Sequence, residues 1–134
     1  DPEQPIPITF GDVVDTADDT RFGILSGDHI MVRLGCEVPD VSACIFLLGD
    51  VEGLMDRPPS EPGSVLLPTW KLDEGFSKSH NADIDVTGGI MLKAQCASMI
   101  ARQVEDVWLL NGTVPSRMLT VVSKEDTLGT KVLQ

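Results

Sequence analysis

Apolar residues in this chain come in short runs fenced by proline, glycine and aspartate. His29 to Leu34 (HIMVRL) sets Ile30, Val32 and Leu34 against His29 and Arg33, the period-two spacing of a half-buried strand. Ser42 to Leu48 (SACIFLL) is apolar almost throughout and closed by Gly49-Asp50, which suits a strand covered on both faces. Shorter runs predict strands at Ile6–Phe10, Gly23–Leu25, Ser64–Leu67, Gly89–Ala94, Met118–Ser123 and Thr130–Leu133. Between them, Gly11–Phe22, Gly49–Gly63 and Thr69–Asp83 have the composition of loops.

The longest apolar-rich stretch is Gly88 to Ser123, and it must supply much of the core. Within it, Cys96, Ile100, Val104 and Trp108 recur every fourth residue, as on one face of a helix closed by Asn111-Gly112. The same four residues share parity, so a strand pair would also face them inward, and both readings stand open. These segments give about seven or eight short strands and at most one helix. The fold expected from that count is mainly β, an antiparallel sandwich or barrel. The proline-rich opening (Pro2, Pro5, Pro7) reads as a linker over 1–7, followed by a single β-rich domain over 8–134.

Charge sharpens the picture. The net charge is −11, and residues 1–67 hold 13 acids against 3 bases while 68–134 hold 8 against 7. Such a surface repels phosphate backbones, which argues against nucleic acid and toward a cation or a basic protein surface. No apolar run approaches the roughly 20 residues that cross a bilayer, so no membrane insertion is expected.

Asp12, Asp15, Asp18 and Asp19 crowd one predicted loop. Hard oxygen donors on a loop suit calcium, although the spacing is not that of an EF-hand, and a solvated acidic loop is the plain alternative. Leu54, Met55, Trp70 and Phe76 are large apolar residues in loop-like segments, the pattern of a subunit contact in a homo-oligomer such as a dimer. Cys36, Cys44 and Cys96 lie among apolar neighbours without zinc spacing, as buried reduced thiols do. A disulfide such as Cys36–Cys44 would instead indicate an extracellular adhesion-type sandwich, the one setting in which the sequon Asn111-Gly-Thr113 would matter. For catalysis, His29 and His80 could serve a cysteine in a small hydrolase, but no G-x-S-x-G, HExxH or P-loop accompanies them.

The proline hinge at Pro2, Pro5 and Pro7, followed closely by the Asp12–Asp19 cluster, resembles the protruding surface domain of small RNA-virus capsid proteins. That resemblance implies a non-enzymatic, dimerising domain made in the cytosol and displayed on the virion. It also implies calcium near the hinge and attachment to a receptor.

Overall fold

The computed structural model describes residues 5–72 and 88–134. In chain order its elements are β1 (Asp12–Asp15), β2 (Phe22–Leu25), α1 (Gly27–Glu37), β3 (Ala43–Leu48), β4 (Thr69–Trp70), α2 (Gly88–Ile100), β5 (Asp106–Asn111), α3 (Ser116–Val122) and β6 (Thr130–Val132). The β1–β2 pair is an antiparallel hairpin standing apart from a four-stranded sheet of order β3-β5-β6-β4. In that sheet β3 runs parallel to β5 in register from Ala43↔Asp106 to Leu48↔Asn111, and β4 runs parallel to β6. Only β5–β6 is antiparallel.

This mixed α/β architecture overturns the expected antiparallel sandwich: six strands fall in two sheets, with three helices, among the described residues. Three segments carry the difference. His29–Leu34 lies inside α1, where Met31, Val32 and Cys36 pack on the core and Gly35 is buried. The residues that face inward, Met31, Val32, Gly35 and Cys36, have helical rather than alternating spacing, and the cap marks where the helix starts. Ser26 is extended (φ −76°, ψ 154°), and its hydroxyl accepts from the backbone N–H of His29 at 3.3 Å. Gly89–Ala94, expected as a strand, is the first half of α2. Met118–Ser123 supplies most of α3, with only Val121 buried there, so tertiary context overrides its β-branched composition. The open choice over 96–110 resolves as both: helix to Ile100, then a strand from Asp106.

Other boundaries shift less. β3, β5, β6 and β2 fall within apolar runs, whereas Ile6–Phe10 forms no strand and β1 lies inside the predicted acidic loop. Ser64–Leu67 contributes a single bridge, Leu66 to Met55.

The core sits between one face of the sheet and the α1–α2 layer. Cys44, Phe46 and Leu48 of β3 and Val107 and Leu109 of β5 meet Ala94, Ala97 and Ile100 of α2. Small side chains on α2 let the helices approach closely. A Cβ at Gly35 of α1 would lie 2.8 Å from Cγ2 of Ile100 and 3.2 Å from Sγ of Cys44. A second knot closes the β4–β6 side: the Thr130 hydroxyl accepts from the Leu54 N–H at 2.8 Å and donates to the Leu67 carbonyl at 2.6 Å.

Candidate functional site

Two parallel strands joined through a helix place that helix antiparallel to them, with its N-terminus at the strands' carboxyl end. Helix α2 joins β3 to β5 in this way, and α1 lies alongside it with the same direction. Lys93 of α2 contacts Asp28 of α1, and seven residues further along each helix Gly35 meets Ile100, so α1 and α2 run in the same direction. Their N-terminal turns therefore sit together, beside the carboxyl-terminal half of β3. That edge is where open α/β sheets bind ligands, because helix N-termini present unpaired N–H groups and positive dipole ends.

The Asp28–Lys93 pair occupies this place. Lys93 Nζ donates to both carboxylate oxygens of Asp28, at 2.8 and 3.0 Å, and the two side chains are only 31% and 14% exposed. The Ser26 cap fixes Asp28 in the first turn of α1. A groove of about 280 Å³ opens there, with Gly27, Asp28, Leu34, Leu47 and Lys93 in its wall. Cys96, one turn beyond Lys93 on α2, is buried; desolvation, with Asp28 adding to it, pushes its thiol up. It stays a neutral core thiol, and burial likewise raises Cys44.

The loops after β3 and β5 are locked at the same edge. Asn111 donates to Glu52 at 3.2 Å and accepts from the Thr113 N–H and hydroxyl at 2.9 and 2.7 Å. Glu52 in turn pairs with Arg117 of α3. The Gly112 N–H donates to the Leu48 carbonyl at 2.8 Å, and a Cβ at Gly112 would come within 2.6 Å of that oxygen. Asn111 is 5% exposed, so the sequon it heads is unavailable to glycosylation in the folded protein.

The residues singled out from the sequence lie elsewhere. Asp12 and Asp15 end β1; Asp18 sits in the turn, accepting from the hydroxyls of Thr16 and Thr20 and the Thr20 N–H, which lowers its carboxyl below the usual range. Among the described residues no three His, Cys, Asp or Glu side chains converge as metal ligands. Leu54 is a core residue, Met55 pairs with Leu66, and Trp70 packs against the core from β4. Phe76 and His80 lie outside the described residues. His29 is exposed, its Nδ1 2.9 Å from the hydroxyl of Ser26, and Cys36 Sγ is directed at the Met99 carbonyl. The three cysteines are free. No described helix is long and apolar enough to cross a membrane.

The described residues thus form a mixed α/β unit with an ion pair near the N-terminal ends of two helices. No protein-family model matches the chain. It is similar to the isopentenyl phosphate kinase of Methanothermobacter thermautotrophicus, 27% identical over 133 residues that cover 97% of this chain and 49% of that protein. The chain thus spans about half the length of the curated relative it matches. This finding corrects the expectation of a non-enzymatic virion domain: the resemblance that the sequence supports over nearly its whole length is to an enzyme, and the fold is not a sandwich.

Proposed function

We propose that this chain forms one half of a kinase, contributing a phosphate-facing part of its site at the Asp28–Lys93 pair. The observation that carries the proposal is the part-buried Lys93 ammonium, held at the joint N-termini of α1 and α2 in a protein of net charge −11. The Asp28–Lys93 pair is neutral as a unit, so in this acidic molecule the two positive helix ends are locally unopposed and an anion can settle where the ammonium can turn to meet it. The relative's name supports a phosphate monoester of isopentenyl type as acceptor.

In such a reaction the terminal phosphoryl of a nucleoside triphosphate passes to an oxygen of the acceptor phosphate. One P–O bond forms as the bond to the departing diphosphate breaks, and the diphosphate keeps the electron pair. Catalysis is largely positioning and charge stabilisation. Lys93 would meet the phosphoryl oxygens, and Asp28 is a positioning residue that holds the ammonium in place before substrate arrives.

Titration of the chain with ATP, followed calorimetrically, tests this. Removing a charged hydrogen-bond donor costs about 1.5–3 kcal/mol, so Lys93→Met should weaken ATP binding about ten- to a hundredfold. Equal ATP affinity in the folded Lys93→Met variant, or no ATP binding by the chain, would refute the assignment.

A further inference from the structure

The sheet ends on an unfinished edge. β3 is the outermost strand, paired on one side to β5 and on the other to no strand among the described residues. Its sequence, ACIFLL, carries no charge and no proline, none of the devices that protect a natural edge. Parallel strands are ordinarily covered on both faces, yet Ile45 and Leu47 on the face away from α1 and α2 are partly open, Leu47 at 42%. The groove beside β3 continues this apolar strip to Leu34 of α1 and reaches Thr9, on the lead-in to the hairpin. In the hairpin, the register puts Val13, Ile24 and Phe22 on one face, at 63%, 81% and 66% exposure, with Asp15 opposite Phe22 as its polar end. An apolar edge, a sheet face left open along β3 while α3 covers it at β5, and three exposed apolar side chains on the hairpin are more than a free surface carries on one small unit.

We infer that the β3 edge and the hairpin face together form an interface for a companion α/β segment, which adds a strand alongside β3. The occupant is of the kind that the Methanothermobacter relative carries outside the match, a stretch as long again as this chain. Two observations favour it over a second copy of the same chain. The relative leaves half of its own length to fill the space. And the Asp28–Lys93 groove opens on the same edge, so a segment docked on β3 would also wall the site from its open side. That last consequence rests on the kinase reading; the interface itself does not.

The test uses the chain alone, then with the unmatched part of the Methanothermobacter relative added as a separate polypeptide. Alternate backbone N–H groups of β3 point away from β5 and have no ladder partner. In the isolated chain these amides should exchange as freely as loop amides, sedimentation should show a monomer, and Leu47→Lys should leave Tm unchanged. Adding the companion should slow their exchange at least about tenfold, and Leu47→Lys should abolish that protection. Slow β3 exchange in the lone monomer, or no protection from the companion, overturns the inference. A concentration-dependent dimer dispersed by Leu47→Lys also overturns it, assigning the edge to a second copy. None of these readouts involves ATP, so the kinase reading can fail without touching them.

Discussion

Gly35→Ala offers a direct probe of how α1 and α2 are held. The new methyl would lie 2.8 Å from Cγ2 and 3.1 Å from Cγ1 of Ile100, a side chain with no exposed surface. Cys44 Sγ, at 3.2 Å, closes the other side. Overpacking a tight core costs about 1–3 kcal/mol, whereas alanine in place of a helical glycine returns about 0.5–1 kcal/mol. The expected net loss is about 1–2 kcal/mol, a fall of roughly 3–8 °C in Tm for a chain of this size. A double-mutant cycle with Ile100→Ala isolates the cause. That substitution alone should cost about 2–5 kcal/mol through the cavity it leaves. In its background the added methyl fills space instead of colliding, so Gly35→Ala should become neutral or stabilising. Calorimetric melting of the four proteins gives the coupling energy directly. The same penalty for Gly35→Ala in both backgrounds, or stabilisation in the parent, would refute the claim that this contact sets the helix separation. The effect should reach the site as well, because Asp28 and Lys93 lie seven residues upstream of the same contact.

Two further outcomes follow from buried polar groups. Asp106, at the start of β5, accepts from Lys124 and Lys131, and these bonds hold its carboxyl below the usual carboxylate range. A depressed folded value means the contribution is fully present above the ordinary aspartate value of about 4 and is lost as pH falls through the lower folded value. Asp106→Asn should therefore cost about 2 kcal/mol at pH 7 and progressively less in acid, by denaturant titration at several pH values; a pH-independent cost would contradict the pairing. Thr130→Val keeps shape but strands the Leu54 N–H, which should cost about 1–3 kcal/mol in Tm-derived stability; an unchanged melt would show that water or another acceptor takes over.

The sequence by itself determined the apolar segments and their punctuation. β3, β5 and β6 lie within runs dense enough in apolar residues to be buried wherever they fall, and the proline- and glycine-rich stretch 49–63 between them contains no helix or strand, only the Met55–Leu66 bridge. The burial of Cys44 and Cys96 was legible for the same reason, whereas Cys36, expected to be buried with them, is half-buried. What the sequence left open was the period of short runs. Six alternating residues at 29–34 suggest a strand, whereas the inward spacing of Met31, Val32, Gly35 and Cys36 extends past that run, and the other helix signal, Ser26 three residues before His29 with Asp28 in the first turn, is a cap outside it. Reading that cap would have given α1; the parallel pairing of β3 with β5 depends instead on α2, the crossover between those two strands.

Asp28–Lys93 was beyond reach at any stage short of tertiary structure. The partners are 65 residues apart, each ordinary in its own segment, and only the parallel packing of α1 on α2 brings them to one edge. Local physics acts over a few residues and shows in composition; the four crowded aspartates therefore drew notice although they form only a turn. A site made by two helices meeting is a property of the crossing, and that crossing is set by a hydrogen at Gly35 where any other residue would carry a carbon.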